Sequence, residues 1–318
     1  MSGFGAATEG RDELFRFAQY DDAAAEGVAY SNYSYWRSTW RIFTRNRGAM
    51  FCLLLLCVLL TFTFIQPFLP GQRSPSAISN NEMGRPLRNL RPNADYWFGT
   101  NAIGQDLWAR IWSGTRTSMF IGLSVGLWDA FFGVLVGSLW GYVRRLDRWI
   151  TELYNVVANI PNTIIMMLAA YMLRPAVGTI IFAMCLTGWL PTSRYVRNQV
   201  VVIRDREFNL ASRCLGTPVR RVITKNLLPQ LVSVIMMRMG MAIPLAIGQE
   251  VFLTYIGLGL PVSIPSLGNL VNEGRIVMMS PSLRYQLIFP ALILSLITVA
   301  LYVIGNAFAD AADPRNHL

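Results

Sequence analysis

Residues 50–69 read MFCLLLLCVLLTFTFIQPFL, a run of 20 residues that contains no charged side chain. An α-helix rises about 1.5 Å per residue, so a run of this length crosses the roughly 30 Å hydrocarbon core of a bilayer. The run lies too far from Met1, behind an acidic segment, to be the core of an ordinary signal peptide, and no small-residue cleavage pattern closes it. We therefore predict a permanent transmembrane helix over residues 49–69.

The rest of the chain also has the composition of a membrane protein. Of its 318 residues, 53% are hydrophobic and only 14% are charged, against about 25% charged residues in an average soluble domain. Glycines recur every few residues in the second apolar run, which indicates a helix that packs closely in a bundle. The apolar runs together predict an all-α membrane protein with six transmembrane helices, at residues 50–69, 118–142, 152–173, 176–192, 232–258 and 287–308.

Charge next to the first span predicts the orientation. Residues 37–48 form a basic membrane-proximal segment with four arginines, which the positive-inside rule places in the cytoplasm. Residues 1–36 are then a flexible acidic cytoplasmic leader, and residues 70–116 an extracytoplasmic segment, either a contact surface for an external partner or an ordinary solvated loop. Residues 117–308 hold the five remaining spans, and residues 309–318 form a tail. Six spans place both termini in the cytoplasm.

The sequence argues against catalysis, disulfide bonds, metal binding and nucleic-acid binding. His317 is the only histidine, which argues against His-based acid–base or nucleophilic catalysis. The four cysteines, at positions 52, 57, 185 and 214, form no CxxC pair and indicate neither a disulfide framework nor a metal site. The net charge of +10 lies mostly beside apolar runs, where it orients the protein and does not indicate nucleic-acid binding. We predict no catalytic site, no bound metal and no cofactor in this chain.

The most basic stretch, residues 194–225, carries eight basic and two acidic side chains between two predicted spans. Within it the sequence RDREFNLASRCL favours a helix, which should end at Gly216 with a left-handed residue. Thr217 then offers a capping oxygen and Pro218 suits the first helical position, so a second helix is expected to run to the next proline. Residues 204–229 are therefore predicted to form a helix, a glycine turn and a second helix.

The side chains around this glycine turn suggest that another protein approaches it. Ala211 and Ser212 are small and leave the backbone accessible. Arg213, Arg220 and Arg221 surround the same place with positive charge. The residues alone leave two interpretations open, a docking site for a partner protein or an ordinary cytoplasmic loop that follows the positive-inside rule.

The stretch EFNLASRCLGTPVRRVITKNLLP (207–229) resembles the EAA loop of ABC importer permeases, in which an EAA triplet is followed by a glycine and then by a Leu-Pro pair. Leu210 and Ser212 depart from that pattern, because they stand where the family has Glu and Ala. Other segments resemble the peptide and nickel importers, in particular the oligopeptide or dipeptide permease C type. These segments are FGTNAIGQDLWARIWSGTRTSMFIG (98–122), with Asn101 and Gln105 for the commoner Asp and Arg, FLTYIGLGL (252–260), PSLGNLVNEGR (265–275) and DAADPR (310–315). The resemblance covers residues 37–315.

This resemblance implies a type I ABC importer-like permease in a bacterial cytoplasmic membrane, with residues 204–229 as its cytoplasmic coupling loop. Such a subunit sits in lipid and forms the path for oligopeptides or dipeptides together with a second homologous permease. Two ATPase subunits dock on the coupling loops, and an extracytoplasmic substrate-binding protein delivers the cargo. ATP and Mg²⁺ then belong to the partner subunits, so that this chain is not an enzyme, which agrees with the lack of a GxxxxGK[ST] phosphate loop. The residues expected to dock the ATPase are Glu207, Ala211, Ser212, Arg213, Gly216, Thr217, Arg220 and Arg221.

Three ionisable residues fall inside predicted spans, and such residues are candidates for a functional role. Asp129 and Arg238 are expected either to form one buried pair or to stand apart, with Arg238 reaching towards the lipid headgroups. Glu250 either lines the translocation path or faces water near the outer end of its helix. Pro161 is expected to kink its helix.

Other functions remain open at the level of sequence. The same architecture would import nickel or another small solute instead of peptides. A secondary transporter or channel is an alternative of a different class, and it predicts inverted repeats and broken helices at the bilayer midplane. No convincing internal repeat is present in the sequence. A scaffold subunit without a path of its own is a third possibility.

Overall fold

The computed structural model describes residues 35–173 and 175–312. The chain divides into two units, Met1–Ser38 and Thr39–Leu318. Of the first unit residues 35–38 are described, and they begin a helix. The predicted acidic leader therefore lies almost wholly outside the described residues, as do residues 313–318 of the predicted tail.

The described residues form helices joined by turns, with three isolated β-bridges within residues 78–106. This confirms the all-α prediction for the described part of the chain. The helices are α1 (Tyr35–Arg45), α2 (Arg47–Ile65), α3 (Leu107–Tyr142), α4 (Arg144–Ala158), α5 (Asn162–Met172), α6 (Val177–Cys185), α7 (Trp189–Arg204), α8 (Glu207–Cys214), α9 (Leu228–Tyr255), α10 (Leu267–Val277) and α11 (Tyr285–Ala311). Shorter elements are one helical turn at Val219–Arg221, a π-helical segment at Val222–Leu227, and 3₁₀ turns at Gln66–Phe68 and Pro281–Leu283.

Four helices among the described residues are long and apolar enough to cross a membrane, and they match the first, second, fifth and sixth predicted spans. They are Arg47–Phe68, Leu107–Tyr142, Ile235–Tyr255 and Tyr285–Ala311. Helices α4 and α5 meet the same criterion only as a pair, and the pair is bent by 74°. Length and composition therefore support four spans, or five if the bent pair counts as one, and the predicted number of six is not confirmed.

The third and fourth predicted spans are interrupted for local reasons. Pro161 lies between α4 and α5 and breaks the predicted span 152–173, because proline lacks a backbone N–H and keeps the residue before it out of the helical conformation. The kink expected at this proline is thus confirmed. The predicted span 176–192 is divided between α6 and α7 by a turn at residues 186–188. Helix α6 has 9 residues and is therefore roughly 14 Å long, about half the thickness of the hydrocarbon core.

Helix α3 begins at Leu107, whereas the transmembrane core was predicted to begin at residue 117. Arg110 and Arg116 set the predicted boundary, because charged side chains are costly in a membrane span. In the folded chain Arg110 is fully buried in an ion pair, and Arg116 donates a hydrogen bond to the backbone oxygen of Thr63 in α2. These contacts compensate both charges, so the helix extends through them.

Glycines allow α3 to pack closely against two neighbouring helices. A Cβ atom added at Gly137 would lie 2.5 Å from the backbone oxygen of Ser193 in α7. On the other face, a Cβ atom added at Gly122 would lie 3.0 Å from the side chain of Ile243 in α9. Larger residues would force the helices apart, so the prediction of a closely packed second span is confirmed.

Helices α9 and α11 approach most closely at a pair of glycines. A Cβ atom added at Gly240 would lie 2.3 Å from the Cα atom of Gly305, and backbone cannot move aside cheaply. We expect Gly240→Ala to destabilise the fold by about 1–3 kcal/mol, the usual cost of overpacking. The measurement is the thermal unfolding midpoint of the purified, detergent-solubilised protein.

Gly248→Ala is the matched control for this prediction, because it makes the same change in the same helix. Outside its own helix turn, no atom of the described residues lies within 4 Å of a Cβ atom built on Gly248. Alanine favours the helix by about 1 kcal/mol over glycine, so this variant should unfold at the wild-type temperature or slightly above it. Equal midpoints for the two variants would contradict the close crossing at Gly240.

Candidate functional site

The segment predicted to dock a partner is built around Gly216. Helix α8 ends at Cys214 with Leu215 as its C-cap, and Gly216 follows with a φ angle of +71°. The backbone N–H of Gly216 donates to the oxygen of Arg213 (3.0 Å), and that of Thr217 donates to the oxygen of Ser212 (3.1 Å). This pair of bonds is the Schellman arrangement, which satisfies the last carbonyls of a helix. The predicted helix end at a left-handed glycine is confirmed.

The second half of the predicted helix–turn–helix differs from the prediction. Pro218 occupies the N-cap position and not the first helical position, and no side chain caps the turn at Val219–Arg221, so Thr217 does not act as the predicted cap. This turn continues through the π-helical segment Val222–Leu227 into α9. Pro229 lies in the first turn of α9, where a missing N–H is tolerated, and it therefore does not end a helix.

Two asparagines join α8 to the π-helical segment, and sequence reasoning missed both. Asn209 is fully buried and donates to the backbone oxygen of Ile203 (2.9 Å). Asn226 donates to the side-chain oxygens of Asn209 (3.2 Å) and Ser212 (3.1 Å). Ser212 is thus a hydrogen-bonding residue and not only a small one. The sequence did contain a signal, since each of the two helix-forming stretches has an asparagine. Asparagine is disfavoured in a helix interior unless its side-chain amide forms hydrogen bonds.

Asp205 lies just before α8 and binds two arginines. Its carboxylate is 3.3 Å from Arg204 and 3.2 Å from Arg144 at the start of α4. Burial raises the pKa of Asp205, but hydrogen bonds and charge from Arg204 and Arg144 outweigh this effect and hold the pKa below its usual value. The carboxylate therefore stays ionised and connects the α7–α8 junction to α4.

The outer surface of this region, which we call the Gly216 turn (residues 207–221), is exposed and apolar at its centre. Leu215 is 85% exposed, and apart from the two neighbours of Gly216 in the chain, no described residue has an atom within 4 Å of a Cβ atom built on Gly216. Leu210 and Val219 are also exposed. Of the eight predicted docking residues, Ser212 and Thr217 are half-buried, and six are exposed: Glu207, Ala211, Arg213, Gly216, Arg220 and Arg221. An apolar patch rimmed by charged side chains is typical of a protein–protein contact.

Glu250 is fully buried, so the expectation that it faces water is wrong. Its carboxylate accepts hydrogen bonds from the hydroxyl groups of Ser266 (2.7 Å), Thr254 (3.3 Å) and Ser118 (3.3 Å). Gly268 leaves room for it, because a Cβ atom at that position would lie 2.7 Å from the carboxylate. Glu250 therefore connects α3, α9 and α10.

A second buried charge, at Arg110, was missed as a site by sequence reasoning. Its guanidinium lies 2.8 Å from the carboxylate of Glu273 in α10 and also donates to Gln105 and to the backbone oxygen of Val262 (3.2 Å). Asn101 donates to the other oxygen of Glu273 (3.3 Å). Asn101 and Gln105, which depart from the resembled pattern, thus belong to the network that attaches α10 to α3.

Asp129 and Arg238 do not form the predicted pair, since no ion pair within 4.0 Å joins them in the described chain. They line one cavity of about 120 Å³ instead. The guanidinium carbon of Arg238 lies 4.2 Å from the ring centre of Tyr195 in α7. Snorkelling of Arg238 towards lipid headgroups stays a prediction.

Comparison with known proteins gives two family matches and several similar permeases. The family described as binding-protein-dependent transport system inner membrane component matches residues 133–317, and the N-terminal transmembrane domain of oligopeptide transport permease C matches residues 34–92. The oligopeptide transport system permease protein AmiD of Streptococcus pneumoniae is 36% identical over 96% of this chain and 98% of its own length. The dipeptide transport system permease protein DppC of Bacillus subtilis is 35% identical over 96% of this chain and 93% of its own length. The oligopeptide transport system permease protein OppC of the same species is 31% identical over 95% of this chain and 97% of its own length.

Proposed function

Since this chain belongs to the family of binding-protein-dependent transport system inner membrane components, of the oligopeptide permease C type, we propose that it carries peptides across a bacterial cytoplasmic membrane as the permease subunit of an ATP-driven importer. Its similarity to oligopeptide and dipeptide permease proteins supports oligopeptides or dipeptides as the cargo. The chain itself is a transport component and performs no reaction.

The proposed topology has six spans with both ends of the chain in the cytoplasm. Four apolar helices and the bent pair α4–α5 support up to five of these spans. For the sixth span we propose the α6–α7 pair, which does not by itself meet the length and composition of a span. The arginines at residues 37–48 support a cytoplasmic start. Residues 204–229 are then cytoplasmic as well.

The proposed partners are a second homologous permease, two ATPase subunits that hold ATP and Mg²⁺, and an extracytoplasmic substrate-binding protein. The single observation that carries the ATPase contact is the exposed apolar centre of the Gly216 turn, where Leu215 is 85% exposed and the backbone of Gly216 is open. Because helical backbone continues from Val219 to Tyr255, a push on this turn moves the span α9 as one body. The π-helical segment lies between the turn and the span, and such segments are frequent at functional sites.

The proposal is tested by reconstituting the full complex in proteoliposomes with the binding protein and a radiolabelled dipeptide. We expect peptide uptake only when ATP and Mg²⁺ are supplied on the ATPase side. A complex whose ATPase subunits bind but do not hydrolyse ATP is the control, and it should show background uptake. Peptide accumulation by this chain alone, driven by an ion gradient, would favour a secondary transporter and refute the importer.

A further inference from the structure

A polar cavity lies where α3, α7 and α9 meet the two interrupted helix pairs. Its volume is about 120 Å³. Asp129 of α3 and Arg238 of α9 supply opposite charges, while Asn162 at the start of α5 and Gln249 of α9 supply amides. Gly188, in the turn before α7, makes room for the carboxylate, because a Cβ atom there would lie 2.7 Å from its Oδ1 atom. The helix interruptions thus place the cavity beside Asp129.

Both charged groups in this polar cavity have buried atoms that find no hydrogen-bond partner among the residues that the structure describes. These atoms are Oδ1 of Asp129 and Nε of Arg238. A buried polar group that lacks a partner typically costs about 1–3 kcal/mol, so such groups are rare unless something else binds them. Oδ1 of Asp129 is an acceptor and suits a cationic donor group, whereas Nε of Arg238 is a donor and suits an anionic acceptor group.

The polar cavity opens on the exposed surface formed by helices α7 and α9. Leu245, which lines the cavity, is 63% exposed, and Pro191 beside it is also exposed. Ionisable side chains at this depth face a bundle interior or water and not lipid. The open side is therefore accessible to a solute from water or from the bundle interior.

We propose that this polar cavity is a subsite for the ends of the transported peptide, with Asp129 receiving the α-ammonium group and Arg238 the α-carboxylate. This inference rests on the proposed function as a peptide permease. The amide of Gln249 can both donate and accept, and the amide nitrogen of Asn162 can donate while its oxygen accepts from the Thr187 hydroxyl, which suits the N–H and C=O groups of a peptide bond. A volume of about 120 Å³ is well below the roughly 300–1,000 Å³ of a pocket that holds a drug-sized ligand, so one chain end occupies the subsite at a time.

The test compares three radiolabelled forms of one tripeptide in the reconstituted transporter. One form is free at both ends, one is N-acetylated and one is C-amidated. The binding protein is saturated with each form before uptake is measured, so that its own preference does not enter the comparison. Wild-type transporter should take up the free form at least about fivefold faster than either blocked form.

Two ratios are compared: uptake of the free form relative to the N-acetylated form, and uptake of the free form relative to the C-amidated form. Each of two variants should change one ratio and leave the other unchanged. Asp129→Asn should remove the preference for a free amino end and leave the preference for a free carboxyl end, and Arg238→Gln should do the reverse. Asp129→Glu should restore the first preference. Arg275→Gln is the matched control, because Arg275 stacks on Tyr255 at 4.3 Å much as Arg238 stacks on Tyr195, and it should leave both ratios unchanged.

Other outcomes overturn the subsite in distinguishable ways. If Asp129→Asn slows all three forms equally, the carboxylate acts independently of the peptide ends and does not bind the ammonium group, which overturns the subsite. If both variants keep the wild-type ratios of free to blocked peptide uptake, the subsite is wrong but the proposed importer function is unaffected. If wild-type transporter takes up no form of the peptide, both the proposed function and the subsite fail.

Discussion

Gly216→Glu should reduce ATP-driven peptide uptake at least about tenfold while the protein still inserts and assembles in the membrane. Beyond the adjacent residues, nothing in the part of the chain that the structure describes lies within 4 Å of the new Cβ atom, so the described fold has room for the side chain. The backbone at φ +71° costs a residue other than glycine about 1–2 kcal/mol, which one turn on the surface can absorb. The glutamate would stand where the ATPase subunit must approach the backbone. Uptake is measured in proteoliposomes, and insertion by the amount of purified complex.

Two controls separate loss of docking from backbone strain. Gly257→Glu introduces the same side chain at another left-handed glycine, with φ +83° and no atom within 4 Å, and it should leave uptake within about threefold of wild type. Gly216→Asn keeps the same position but adds a residue that tolerates the left-handed conformation, so its effect should be smaller than that of glutamate. Normal uptake by Gly216→Glu would contradict the assignment of the Gly216 turn as the docking site.

Glu250→Leu should destabilise the protein by on the order of 3 kcal/mol or more. The carboxylate is fully buried and accepts hydrogen bonds from Ser118, Thr254 and Ser266, which lie in or next to three different helices. Leucine leaves all three hydroxyl groups without this acceptor, and each unsatisfied buried group costs about 1–3 kcal/mol. The unfolding midpoint of the purified complex should fall accordingly.

Glu250→Gln is the matched control, because glutamine has nearly the same shape and keeps one acceptor oxygen. It should lose about half as much stability as the leucine variant. A path-lining role for Glu250 predicts a different pattern, in which both variants slow uptake but unfold at the wild-type temperature. That result would show that the cluster with Ser118 and Ser266 contributes little to stability.

Several features followed from the sequence because each depends on a few neighbouring residues. The helix at Arg47–Phe68 needs only an unbroken apolar run, and the sequence contains one. The turn at Gly216 needs one residue that adopts a positive φ angle at low cost, followed by a residue that does not continue the helix. Both were predicted from local patterns and both are present.

The interrupted spans were harder to predict, because an apolar run does not reveal where its helix breaks. Residues 176–192 are apolar enough to suggest one span, but they are divided by the turn at 186–188. It was even harder to predict which charged side chains are buried with a partner. The donor and acceptor that compensate each charge are distant in sequence, 163 positions for Arg110 and Glu273 and 132 positions for Ser118 and Glu250.

The sequence by itself determined that the described part of this protein is helical with several apolar membrane-spanning helices, and that a basic helix ends at a left-handed glycine before α9. These properties depend on local composition and on single backbone conformations. Only the tertiary structure decided that Glu250 is buried among hydroxyl groups, that Arg110 continues inside a helix, and that Asp129 and Arg238 share a cavity without pairing. The physical reason is that the cost of burying a charge depends on which groups surround it, and those groups come together only when the helices pack.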